Sequence, residues 1–293
     1  IEIEVNEQLP QETREFFAEN LSAYLLPDGE RMNSLTGNVD SQFKYIEHAR
    51  KVNHERIFVA ACQFADAVDR YLQATQNFGI TDYYSDNTKS NETYIIDGIW
   101  GVISGGEPWL EDTLGVVISG FGNDTHTENT GMIIDLGGND LYTNNAGGTI
   151  GSTALVIDHK GDDAYNSDSN YVQGFGCLGV GYLVDLEGND RYTAKHFSQG
   201  GGIMGVGCLW DNWGNDEYSG HGFTQGAAMF GLGALLDNSG DDKYDCATLG
   251  QGGATTLGLG ICSDLSGDDE YLLNVTKGKD NMGSAGYGQG GAL

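Results

Sequence analysis

Along the first quarter of the chain, apolar residues recur at helical spacing. Phe16, Phe17, Leu21, Tyr24 and Leu25 lie between Pro10 and the stop signal Pro27-Asp28-Gly29, which predicts a helix over Pro10 to Leu26. Phe43, Ile46, Val52, Ile57, Ala60, Phe64, Val68 and Tyr71 keep mixed three- and four-residue steps and predict one longer helix from about Ser41 to Phe78. The stretch Gly79 to Thr93 is polar and turn-rich, so a boundary falls there. The reading is a helical segment over residues 1–93 and a second region over 94–293.

From about Tyr94 the pattern changes to glycine, β-branched and aromatic residues, and a motif D-x-x-G-(N/D)-D-x-Y appears. Its copies run Asp135–Tyr142, Asp158–Tyr165, Asp185–Tyr192, Asp211–Tyr218, Asp237–Tyr244 and Asp264–Tyr271. The leading aspartates are 23, 27, 26, 26 and 27 residues apart. A degenerate copy, Ser119 to His126, precedes them, as terminal repeats often are. A Gln-Gly pair at Gln173, Gln199, Gln225, Gln251 and Gln289 keeps nearly the same beat. Each repeat holds an extended run ending at the leading Asp, a glycine turn, a short strand through the Tyr, and a further turn. Two or three short strands at this period predict a mainly β protein, a parallel β-solenoid of about 26-residue coils stacked roughly 4.8 Å apart.

Stacking turns the repeat into columns. Leu183, Leu209, Leu235 and Cys262 form one that points into the core, and the glutamines suggest an amide ladder. The tyrosines form an aromatic column at the opposite bend. Val180, Val206, Leu232 and Leu259 occupy the other face of the same strand, so that face also needs cover, from the N-terminal helices or a neighbouring subunit. The final Gln289-Gly-Gly-Ala-Leu293 breaks off mid-coil, which leaves a strand edge for a cap or for head-to-tail continuation by a second copy.

Charge narrows the partners. With 43 acidic against 14 basic residues the net charge is −29, which argues against nucleic acid and anionic membrane surfaces and favours cations or a basic partner. No apolar run is long enough to span a membrane. The 46 glycines and 3 prolines suit a chain that turns tightly and often. An opening Ile1 points to processing and export, to a secreted or cell-surface location, with which the sequons at Asn20, Asn91, Asn123 and Asn274 are compatible. Five cysteines without a C-x-x-C spacing give no zinc or redox motif. They read either as thiols left free or paired between chains, or as small buried hydrophobes.

In the motif, glycine takes positive φ and the next Asn or Asp tolerates it, so the turn gathers carboxylates at one corner. The second aspartates Asp140, Asp163, Asp190, Asp216, Asp242 and Asp269 stack as like charges, joined by the leading Asp135, Asp158, Asp185, Asp211, Asp237 and Asp264. At 4.8 Å a neighbouring pair repels by roughly 0.9 kcal/mol in water and about 3.5 kcal/mol at an effective dielectric of 20. Bound Ca²⁺, amide hydrogen bonds or protonation must offset this, and oxygen ligands on flexible turns favour Ca²⁺ over transition metals. The G-(N/D)-D-x-Y core resembles the second half of the RTX calcium-binding nonapeptide. The resemblance implies that the second aspartates hold Ca²⁺ between coils and that Tyr142 through Tyr271 are the inward hydrophobes. Here one copy occurs per coil instead of every nine residues, so the likeness covers motif cores only. The alternative is Asx turns capped by backbone amides without metal.

Parallel β-helices also carry polysaccharide lyases and hydrolases. Here the paired carboxylates recur in every coil, whereas a catalytic site is a departure from the repeat. His126, His159, His196 and His221 fall at different phases and read as turn or surface residues, and Lys277 and Lys279 sit in a loop insertion. No nucleophile-elbow, P-loop or zinc-protease motif occurs. The sequence therefore favours a non-enzymatic, self-assembling surface protein. In architecture this is similar to archaeal and bacterial S-layer or sheath subunits. A carbohydrate-active β-helix enzyme and a glycan-binding adhesin are the alternatives.

Overall fold

The computed structural model of the protein describes residues 9–13, 15–17, 39–78, 94–96, 114–127 and 129–274. Gln11–Thr13 and Glu15–Phe17 are helical, as the spacing predicts; the remainder of that predicted helix lies outside the described residues. The longer predicted helix is two, α1 (Val39–Ala49) and α2 (His54–Phe78). The break has a local cause. Asn53 places its Oδ1 3.1 Å from the Arg56 N–H, a start signal inside a stretch whose apolar spacing alone reads as continuous. The boundary at Gly79–Thr93 lies outside the described residues. Among those residues no helix is long and apolar enough to cross a membrane.

The rest is a parallel β-solenoid whose coils contribute to three sheets. The long sheet has eight strands, of which Leu114–Ser119, Thr130–Asp135, Thr153–Asp158, Val180–Asp185, Val206–Asp211, Leu232–Asp237 and Leu259–Asp264 are parallel and in register. Tyr94–Ile96 adds an antiparallel edge strand, outside the all-parallel expectation. The tyrosine sheet has seven short strands, from Thr125–His126 to Glu270–Leu273, and four two-residue strands form the third sheet.

Two apolar layers follow from the two faces of the long sheet. Inside, Leu183, Leu209 and Leu235 are buried against the stacked Tyr142, Tyr165, Tyr192, Tyr218 and Tyr244, with Cys262 and Tyr271 at the edge. The predicted core column is present. Outside, Leu155, Ile157, Val180 and Val184 share a cluster with Ile57, Phe64, Val68 and Leu72 of α2, and the Phe64 ring meets Tyr182 edge-on at 6.2 Å. The cover for the second face is thus a helix of the same chain. It does not extend to the last coil, where Leu259 is 56 % exposed. No disulfide joins the five cysteines, and Cys177, Cys208 and Cys246 are buried.

The glutamine corner passes close against the long sheet. Cys208 N–H donates to Gly174 O and Ala234 N–H to Gly200 O, both at 2.9 Å, so the corner of one coil bonds the long strand of the next. A Cβ on Gly207 would stand 1.9 Å from Gly201 O, which explains the glycine in mid-strand. Non-glycine residues hold left-handed conformations at the bends: Phe197 and Gln199 (φ 55° and 50°), then Met204 (φ 49°), with equivalents in neighbouring coils.

The candidate cation row

The motif turn is built by its glycine. At Gly161 φ is 151° and a Cβ would lie 1.6 Å from Gly138 O, so only glycine lets successive turns stack this closely. The residue after the glycine forms an exposed ladder running up the coils. Asp162 N–H donates to Asn139 Oδ1 (3.2 Å), Asn189 N–H to Asp162 Oδ1 (2.9 Å) and Asn215 N–H to Asn189 Oδ1 (3.1 Å). Asn and Asp both supply the accepting Oδ1, and an Asn can add a second bond through its Nδ2, as Asn189 Nδ2 does to Asp162 Oδ1 at 2.9 Å.

The second aspartates form a buried ladder in the opposite sense. The N–H groups of Asp140, Asp163 and Asp190 donate to Oδ1 of Asp163, Asp190 and Asp216 respectively, each at 2.6 Å. Asp216 N–H donates to Asp242 Oδ1 at 2.7 Å and Asp242 N–H to Asp269 Oδ1 at 3.1 Å. Each of these carboxylates thus has one oxygen tied to the adjacent coil. The Oδ2 atoms of Asp140, Asp163, Asp190, Asp216 and Asp242 are buried and have no hydrogen-bond partner.

The leading aspartates serve the tyrosines. Tyr142 donates its O–H to Asp158 Oδ2 (2.6 Å), Tyr165 to Asp185 (2.7 Å), Tyr192 to Asp211 (2.6 Å) and Tyr218 to Asp237 (2.7 Å). Tyr244 reaches Asp264 at 3.0 Å. The tyrosine rings stack at 4.5–4.8 Å and within 12° of parallel. The turn amide two residues on often takes the other oxygen, as Lys160 N–H does on Asp158 Oδ1 at 3.0 Å.

The two kinds of aspartate meet in three-carboxylate clusters: Asp124/Asp135/Asp140, Asp140/Asp158/Asp163, Asp163/Asp185/Asp190, Asp190/Asp211/Asp216, Asp216/Asp237/Asp242, and one more. In each, one oxygen from every member lies within 4.8 Å of the others. Without a counter-charge, burial foremost drives these carboxyls upward, and neighbouring carboxylates add to it, while amide hydrogen bonds pull back. Asp140, Asp211 and Asp242 rise to about 7 and Asp163 to about 6, Asp190 and Asp216 to about 12 and about 10, and Asp158 and Asp185 well above the normal range.

All twelve predicted aspartates lie along this row, with Asp264 and Asp269 at its more exposed end. The glutamines behave differently from the expected amide ladder. Gln199 Nε2 donates to Tyr192 O of its own coil and Ser219 O of the next, both at 3.1 Å, so each amide joins backbones instead of its stacked neighbours. Of the histidines expected at turns or the surface, His159 and His221 do lie at turns, but His126, His159 and His196 are buried and His221 is half-buried. His126 takes the tyrosine position in the degenerate first copy, stacking on Tyr142 at 4.6 Å and meeting Asp135 Oδ2 at 2.9 Å. His159 is buried against α2, 3.0 Å from the Tyr71 hydroxyl. His196 and His221 lie on adjacent coils with ring centres 4.8 Å apart. A spacing of 25 residues, one short of the repeat, hid that pairing. Asp124 joins the row without having been singled out, although the Gly-Asn-Asp of the degenerate copy carries its signal. Lys277 and Lys279 lie outside the described residues.

Fold and site together define a mainly β, parallel β-solenoid with an internal row of paired aspartates. No known family model, curated protein or solved structure matches the chain.

Proposed function

We propose that this protein is a non-enzymatic structural subunit of an extracellular assembly, an S-layer, sheath or filament, whose solenoid is held by Ca²⁺. The observation that carries this reading is the sameness of the acidic clusters from coil to coil. The chemistry is repeated along the described coils, and the departure at the first copy, His126 in the tyrosine position, keeps the same contact with the leading aspartate of the next coil. Buried carboxylate oxygens without donors call for a counter-charge, and oxygen-only surroundings suit Ca²⁺. Leu257 and Leu265, 75 % and 70 % exposed in the last described coil, support contact with a second copy.

Negative-stain electron microscopy in millimolar Ca²⁺ and after EGTA tests both parts. Filaments or sheets that dissolve on chelation support them together. Assemblies indifferent to EGTA keep the structural role and remove the metal, and monomers throughout overturn assembly. One observation favours a glycan-binding reading in that last case: Trp213, 60 % exposed, lines a shallow cleft with Glu187 and Asn189. Its ring offers an apolar platform beside polar groups, the usual composition of a ligand cleft.

A further inference from the structure

We infer that the acidic clusters form one continuous ion row in which adjacent sites share a ligand, with one divalent cation per coil. This rests on the cation reading above and adds the order and number of the sites. The clusters are not separate. Asp140, Asp163, Asp190 and Asp216 each belong to two, whereas Asp135, Asp158, Asp185, Asp211 and Asp237 each belong to one among those named. The unpartnered Oδ2 of each shared aspartate is the independent sign that something positive belongs there. In Asp163, Asp190 and Asp216 the residue is 3, 2 and 1 % exposed, and that oxygen receives no hydrogen bond from an amide, hydroxyl or basic group.

Charge fixes the kind of ion. One coil of rise adds one leading and one second aspartate, two negative charges, and one divalent cation neutralises them. Two monovalent ions in the same space would crowd a site whose three donor oxygens already lie within 4.8 Å of one another. Most of the row is also buried, beside the tyrosine stack and the turn backbones. A cation that must shed its water favours Ca²⁺ over Mg²⁺, which dehydrates reluctantly and keeps several waters. The shared aspartate bridges two ions, while its Oδ1 stays on the amide of the coil before it. Loss of one bridging carboxylate therefore disturbs two sites, and loss of a leading carboxylate disturbs one.

The test counts metal. The full-length protein is unfolded in EDTA, refolded with Ca²⁺ and desalted, and bound calcium is measured by plasma mass spectrometry for wild type, Asp190→Asn and Asp185→Asn. The expected result is one Ca²⁺ per cluster in wild type, a loss of two in Asp190→Asn and a loss of one in Asp185→Asn. If Asp190→Asn does not refold, as judged by circular dichroism, Asp140→Asn carries the same prediction at the other end of the row. Equal losses of one in both kinds of variant overturn the shared row and leave separate calcium sites standing. No bound calcium in wild type overturns the cation reading itself, and the row with it.

Discussion

Two aspartates recur in every motif, and they do different work. The leading one is an acceptor for a buried phenol, and the second is an acceptor for a buried amide. Tyr192 is fully buried with its hydroxyl 2.6 Å from Asp211 Oδ2, and no water can replace it there. Tyr192→Phe keeps the stack and removes only that donor. It is expected to cost about 2 kcal/mol in urea unfolding, the range for hydrogen bonds to charged groups. A loss under about 0.5 kcal/mol would show that the tyrosine column is held by stacking and burial alone.

In the strands and turns, stability comes from registers that agree. The exposed positions of the tyrosine sheet alternate in charge, Arg191, Glu217, Lys243 and Glu270, and Arg191 lies 3.0 Å from Glu217. Such exposed pairs contribute little, but like charges in register would oppose the stack. The close approach of the glutamine corner to the long sheet matters far more. In Gly207→Ala the new methyl meets the Gly201 carbonyl at 1.9 Å and Gly174 O at 2.9 Å, both main-chain atoms that cannot rotate away. This substitution is expected to destabilise by about 3 kcal/mol, whereas Glu217→Ala on the exposed face should stay within about 0.5 kcal/mol. Comparable melting temperatures for the two variants would mean that the corner segment shifts freely against the long sheet.

Across the whole molecule, the buried row is expected to tie stability to pH and, on the proposed Ca²⁺ reading, to cations. The folded carboxyls of Asp140, Asp211 and Asp242 titrate at about 7 and Asp163 at about 6 when no counter-charge is present, because burial disfavours their anions. In the unfolded chain an aspartate titrates near 3.9. Between these values the folded state holds more protons than the unfolded one, so stability falls as pH rises. In EGTA the melting temperature should therefore be highest near pH 4 and decline through pH 7. Millimolar Ca²⁺ at pH 7 should restore it. A melting temperature that rises through the same window in EGTA would mean that the turn amides alone stabilise the anions.

Much of this architecture follows from the sequence alone. The D-x-x-G-(N/D)-D-x-Y beat gives the coil length, the in-register aspartates and tyrosines, and the inward Leu183, Leu209 and Leu235, because parallel stacking places equivalent residues on one another. It also makes the second face of the long strand apolar. What covers that face, how the carboxylates divide their oxygens, and where the bends fall were decided by the tertiary structure. Side-chain spacing does not record which amide of an adjacent coil reaches Asp163 Oδ1. It also cannot show that Gln199 takes a left-handed conformation to join two backbones. The break at Asn53 and the His196–His221 contact escaped because each departs from the period by a residue or a single cap. A repeat fixes what recurs, whereas contacts between coils and with α2 depend on three-dimensional closure, which periodicity leaves open.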